Sequence, residues 1–358
     1  MRCGIIGLPQ VGKTSLFTIL TRTHVEAKGG QREAHLGIAK VPDDRLERLT
    51  ALYKPKKQIH ATVEYADVAA IGQEALKESA YAEGLRKVDA FCHVLRAFED
   101  DAIPHVGKSP QQDADKVEFD LIVDDLGTAE RRLERLEKDL KKMKTSELER
   151  EKELFLRLKA HLETEKPLRV MELSADDRKR LRGFGLLSLK PILYVLNIAE
   201  AEDLGKALAE APEKYGLSAF EGGKSTGVAA ICGKVEADLA EMSDEDAAEF
   251  LSGYGLTESG LVRVIRKTYE LLGLMSFFTV GEDECRAWTV PIGVRAVEAA
   301  GAIHTDLEKH FIRAETIHWD ELLAAGSEAA ARGKGTLRLE GKEYIVKDGD
   351  VLNIRHSG

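Results

Sequence analysis

Apolar residues fall in short blocks separated by longer stretches of mixed polar and apolar residues. Met1 to Gly7 (MRCGIIG) reads as a strand entering a loop, and Leu16 to Thr23 as the helix after it. Val63 to Val68 reads as a second strand whose last polar position is Asp67. Ala90 to Phe98 (AFCHVLRAF) reads as a third, Pro191 to Leu196 (PILYVL) as a fourth and Val228 to Ile231 as a short fifth. Helical stretches lie between several of these strands, the alternation of a doubly wound, mainly parallel α/β sheet.

One segment breaks the alternation. From Thr128 to Lys166, 22 of 39 residues are charged, 12 basic and 10 acidic. Leu133, Leu136, Leu140 and Met143 follow a 3-4-3 spacing, and Phe155, Leu158 and Leu162 resume it after a gap. Ser146 with Glu149 forms a capping box that restarts a helix. The pattern predicts two helices in an antiparallel hairpin inserted into the sheet domain. Its nearly balanced charge suits a solvated coiled-coil arm better than a nucleic-acid clamp.

From Leu274 the texture changes again. Phe277 to Val280 and Arg286 to Pro291 read as a hairpin. A helix is expected near Thr305 to Ala314, with Thr305 and Glu308 as its capping box. Strands Thr336 to Glu340 and Lys342 to Val346 meet at Gly341, Lys347 to Asp350 is a turn, and Val351 to Ile354 is a last strand. This is a small ββ-α-ββ module with 14 acidic and 10 basic residues. The expected division is therefore 1–124 and 185–273 for the sheet domain, 125–184 for the helical insertion and 274–358 for the module.

The chain has 358 residues, enough for two or three domains. Its formal net charge of -10 argues against holding nucleic acid by bulk charge, and no DNA partner is indicated. Cys3, Cys92, Cys232 and Cys285 form no CxxC pair, which suits a reducing compartment. No apolar run approaches the ~20 residues of a membrane span, and no signal-like segment opens the chain. A cytoplasmic protein without a membrane partner is expected.

The chemistry begins at the first strand. GLPQVGKT, Gly7 to Thr14, fits GxxxxGK[ST] between a strand and a helix. In such a loop the backbone of Gly7, Leu8, Pro9, Gln10, Val11, Gly12, Lys13, Thr14 and Ser15 wraps the phosphates of a nucleotide, helped by the helix N-terminus. Lys13 reaches the β- and γ-phosphates, and Thr14 offers its hydroxyl to Mg²⁺. Asp67, at the end of the second strand, suits a second Mg²⁺ contact, although a strand-end aspartate also suits a turn. Asn197 closes the fourth strand, where open α/β sheets bind ligands. It opens NIAE, where GTP-binding domains carry NKxD. Asn197, Ile198 and Glu200 are then candidate base contacts. The lysine and the bidentate aspartate are absent, so guanine preference is expected to weaken. A turn-forming Asn197 is the alternative.

Longer strings resemble a known family. CGIIGLPQVGKTSLF, VPDDRL, HVLRAFEDDAIPHV, LKPILYVLNIAE, VEADLAEM, GLVRVIRKTYELLGLMSFFT, CRAWTVPIG, GAIHTDLEKHFIRAETI and GKEYIVKDGDVLNI are similar, in this order, to YchF-type Obg-like ATPases. These belong to the translation-factor class of P-loop proteins. The resemblance covers essentially the whole chain and implies a C-terminal TGS domain of ubiquitin-like β-grasp fold. It also implies ATP accepted over or alongside GTP through NxxE, and association with the ribosome or its RNA. It places an apolar residue, here Ile71, where Ras-like proteins have a water-positioning glutamine. It assigns a catalytic histidine to His105, which on the residues alone is only a loop histidine.

Four departures qualify the resemblance. Gln10 stands where the family has an asparagine linked to potassium in related GTPases, which leaves potassium doubtful as a cofactor. DxAG reads DVAA at Asp67 to Ala70, with Gly72 two residues further on. The stretch after it, QEALKESAYAEGLRK, reads as more helical than mobile, with Glu83, Gly84 and Leu85 matching. No threonine follows Thr23 before Gly37, where the family senses γ-phosphate. The leading expectation is a slow Mg²⁺-dependent ATPase acting as a ribosome-associated translation or stress regulator. Alternatives are a nucleotide-binding scaffold with little hydrolysis, a GTP-selective GTPase, and a small-molecule P-loop kinase.

Overall fold

The computed structural model describes all residues except 24–34, 69–78, 101, 103, 105, 106, 224 and 358, and omits the side chains of 79–81 and 244. In chain order its strands are β1 (Arg2–Ile6), β2 (His35–Lys40), β3 (Lys57–Ile59), β4 (Thr62–Asp67), β5 (Ala90–Ala97), β6 (Ile192–Ile198), β7 (Thr226–Ile231), β8 (Leu274–Thr279), β9 (Glu284–Pro291), β10 (Phe311–His318), β11 (Arg338–Glu340) and β12 (Asp350–His356). The chain divides into two compact units, 1–38 with 64–271 and 39–63 with 272–358.

The first unit is built on a sheet of order β2-β4-β1-β5-β6-β7. The pairings β4–β1, β1–β5, β5–β6 and β6–β7 are all parallel. Their sequences are nearly continuous apolar runs because both faces of these strands are covered; Ile5, Ile6, Phe91, Leu95, Leu193 and Val195 are all buried. β1 has β4 on one side and β5 on the other. The chain leaving β1 therefore emerges at a topological switch point, where such sheets open a crevice.

The helical hairpin consists of Pro110–Lys142 and Ser146–Leu162. The first helix is capped by Ser109, whose hydroxyl accepts from Gln112 N, and has proline in its first turn. It runs unbroken through residue 125, so the sheet domain and the arm share one helix. Leu133, Leu136, Phe155, Leu158 and Leu162 pack in one cluster. Met143 is 65% exposed, so the predicted seam ends before it. Thr145 rather than Ser146 caps the second helix, accepting from Leu148 N. Arg132 makes a two-pronged pair with Glu151 across the hairpin, at 2.7 and 2.9 Å. At the base, Asp125 accepts from Leu187 N, Ser188 N and the Ser188 hydroxyl at 2.7, 2.7 and 2.6 Å.

The second unit carries a sheet of order β11-β10-β12-β8-β9-β3. β8 and β9 form the expected antiparallel hairpin. β3 adds to it in parallel, with Lys57 opposite Glu284. The helix Asp44–Tyr53, capped by Asp43, buries Leu46 and Leu49. Arg45 grips Asp43 and Asp348 together, with its guanidinium 5.3 Å from the Phe278 ring centre. Residues 39–63, which the sequence division left within 1–124, thus lie in the C-terminal unit.

Two expected elements change. The helix near Thr305 to Ala314 shrinks to Thr305–Lys309, and β10 begins at Phe311. Phe311, Ala314, Thr316 and Ile317 are buried, and β10 lies against β12 along its length, which outweighs a local capping signal. Lys342 to Val346 forms a turn with one bridge, Arg295 to Ile345, in place of a strand.

Candidate functional site

The loop from Gly7 to Gly12 has a backbone that its glycines permit. Gly7 has φ 146°, and an added Cβ would lie 2.5 Å from the Val94 carbonyl oxygen. Gly12 has φ 99° and precedes the helix Lys13–Thr21, with Leu16 N donating to Gly12 O at 2.9 Å. Gln10 also sits in the left-handed region at φ 62°. Asparagine tolerates that region better than glutamine, so Gln10 holds the loop at some cost. No side chain caps the helix Lys13–Thr21. Its first-turn N–H donors therefore remain available to an anion.

Lys13 crosses the loop and donates to Leu8 O at 2.7 Å. It is 8% exposed. Burial pushes its pKa down to about 8, with Asp67 pulling the other way. A nearly dry ammonium whose hydrogen-bond partner among the described residues is a neutral carbonyl is primed for a stronger, charged acceptor.

At the end of β4, Asp67 Oδ2 accepts from the Thr14 hydroxyl at 3.0 Å. Burial raises the Asp67 pKa, opposed by Thr14 and Lys13. The two side chains supply hard oxygen donors beside the phosphate loop. Mg²⁺ takes one or two such protein ligands and completes its shell with phosphate oxygens and water. The pair fits that ion, and the described residues contain no cluster of three or more acidic, histidine or cysteine side chains that would hold a metal alone.

Asn197 lies within β6, which runs on to Ile198. Its Nδ2 donates to Val11 O at 3.2 Å and its Oδ1 accepts from Gly233 N at 2.9 Å. A side chain braced against both the phosphate loop and the chain after β7 does more than form a turn. Ile198 is buried. Glu200 takes the Lys234 ammonium on Oε2 at 2.7 Å and the Tyr254 hydroxyl on Oε1 at 3.1 Å. Lys234 is the main cause of its lowered pKa.

Gly7 to Ser15, Asp67, Asn197 and Glu200 all lie at or just beyond the carboxyl ends of parallel strands in the first unit. His105, Ala70, Ile71, Gly72 and the stretch 24–34 lie outside the described residues. Glu83, Gly84 and Leu85 fall in the helix Ser79–Arg86, as their string suggested. Sequence reasoning missed Gly233, Lys234 and Tyr254. The first two follow β7 in ICGK, a strand-end position to which the crevice rule applies. Tyr254 had no local signal.

The family model YchF-GTPase_C, described as a protein of unknown function (DUF933), matches residues 274–357. The "Ribosome-binding ATPase YchF" of Bacillus subtilis strain 168 is 42% identical over 364 aligned residues, covering 99% of each chain. Its namesake from Escherichia coli O157:H7 is 39% identical, with 99% of this chain and 98% of the other covered. The solved Schizosaccharomyces pombe YchF GTPase superimposes with a TM-score of 0.86 at 29% identity, covering 99% of this chain and 97% of that one. No helix among the described residues is long and apolar enough to cross a membrane. With a phosphate loop at the switch point, an asparagine bracing it from β6 and identity running the full length of its relatives, the chain belongs to the YchF family of P-loop proteins.

Proposed function

We propose that this protein binds ATP at the Gly7–Ser15 loop, hydrolyses it slowly and works in association with the ribosome. The observation that carries the reading is the uncapped helix start with Lys13 buried across its loop and Thr14 bonded to Asp67. In this reading Lys13 turns from Leu8 O to the β- and γ-phosphate oxygens. The loop N–H groups orient the phosphate chain for in-line attack by water. When bound, Mg²⁺ would neutralise phosphate charge. Thr14 and Asp67 would hold it. Asn197 and Glu200 face the base, and His105 acts near the attacking water. Ribosome association is carried over from the relatives named ribosome-binding ATPases.

Phosphate release from ATP and GTP, measured with Mg²⁺, with and without ribosomes, and against Lys13→Ala, tests this. ATP turnover that Lys13→Ala abolishes supports the ATPase. Retained binding without turnover supports a nucleotide-ordered scaffold, the reading favoured by DVAA and by the missing threonine after Thr23.

A further inference from the structure

Glu200 lies two residues beyond the carboxyl end of β6, and both oxygens of its carboxylate already accept hydrogen bonds. Its side chain is 42% exposed, so a ligand can reach it. Yet each of its oxygens already accepts from a separate donor, Oε2 from Lys234 and Oε1 from Tyr254. Tyr254 is itself fixed. It ends the helix Asp244–Gly253, its N–H bonds back to Leu251 O and Ser252 O, and its ring lies 5.2 Å from that of Phe250. The hydroxyl is thus held ready before any nucleotide arrives.

Guanine is recognised by a carboxylate through two adjacent donors, its ring N–H and its amino group, one to each oxygen. At Glu200 those two donors would have to share oxygens whose lone pairs and charge already serve Lys234 and Tyr254, which weakens the bonds guanine can make. Adenine presents no such pair of donors and asks less of the carboxylate. We infer that Tyr254 is a positioning residue for base selection, which together with Lys234 occupies both oxygens of Glu200 and turns the site against guanine. This rests on the reading that the nucleotide sits on the Gly7–Ser15 loop with its base toward Asn197 and Glu200.

The test is the ratio of GTP to ATP dissociation constants, read with fluorescent nucleotide analogues in the presence of Mg²⁺ on the full-length protein. Tyr254→Phe keeps the ring and removes only the hydroxyl, and should lower the ratio by about fivefold, the loss of one hydrogen bond. Adding Lys234→Met should lower it further. In a Glu200→Gln background, Tyr254→Phe should move the ratio by less than about twofold, since the paired group is gone. A ratio unmoved in both variants, or ATP and GTP binding weakened in parallel, overturns the inference while leaving the ATP site standing. If the unaltered protein binds neither nucleotide, the site reading itself fails.

Discussion

Nucleotide binding should draw a proton from solvent, and the amount should report Lys13. In the free protein burial brings the Lys13 pKa from 10.5 to about 8. With that value about a tenth of the molecules have lost the proton at pH 7, half at pH 8 and nine-tenths at pH 9. A phosphate chain against the ammonium restores the charged form, as any close anion does. Binding should therefore take up about 0.1 proton at pH 7, 0.5 at pH 8 and 0.9 at pH 9. Affinity should fall about twofold at pH 8 and tenfold at pH 9, the latter roughly 1.4 kcal/mol. With a second pKa of about 6 the γ-phosphate is fully ionised at pH 8 and 9, so its own titration does not intrude there. Isothermal titration calorimetry with Mg²⁺ and ATP, in buffers of different ionisation enthalpy, reads the uptake directly. Lys13→Arg keeps a permanent charge and should abolish it. Heats independent of the buffer at pH 8 and 9 would refute the argument. The same shift has a stability consequence. The native state binds fewer protons than the unfolded chain between pH 8 and 10.5, so this group's contribution to stability rises with pH across that window.

Three further outcomes follow from the packing. Gly12→Ala places a Cβ 2.8 Å from Asn197 Nδ2 at φ 99°. It should cost about 1–3 kcal/mol in chemical denaturation and remove measurable ATP binding. Asp125→Ala leaves two backbone N–H groups and the Ser188 hydroxyl without their acceptor. It should destabilise the first unit by about 3 kcal/mol, followed by urea unfolding. Burial raises the Asp125 pKa to about 6, so its stabilising term is fully present below about pH 4 and is lost as pH rises through 6. Arg45→Met removes the clamp on Asp43 and Asp348, and should lower the unfolding free energy of the second unit by about 1–2 kcal/mol, a modest figure because Asp348 is 54% exposed. Hydrogen exchange localised to 39–63 and 272–358 would follow it.

What the sequence made legible were the features in which neighbours along the chain are also neighbours in space. The phosphate loop is one contiguous motif whose turn, glycines and helix start are all local. β5 and β6 stand out because strands covered on both faces are written as unbroken apolar runs. β2 does not stand out, since Leu36 and Ile38 are 47% and 62% exposed and its remaining positions are small or polar. β3 has only three residues, too short for any periodicity. The lost helix at 310–314 shows a local cap signal overruled by pairing with a strand some 40 residues later in the chain. Glu200 was found from its place after a strand. Its partners Lys234 and Tyr254 are 34 and 54 residues away, and no spacing rule reaches them.

The second unit draws on two separated stretches of chain, and this governs how the protein can be dissected. A chain cut after Leu271 keeps Lys57–Ile59 but loses β9, its hydrogen-bonding partner, and strands the helix that buries Leu46 and Leu49. Such a fragment carries an unpaired edge and an orphaned apolar face, the two features that drive aggregation. The excised 272–358 segment is no better off. It lacks one strand of its sheet, and Asp348 loses Arg45. Activity lost by either fragment would then report misfolding as readily as a missing function. Point changes in the intact chain, or a graft that carries 39–63 along with 272–358, are the dissections this topology allows.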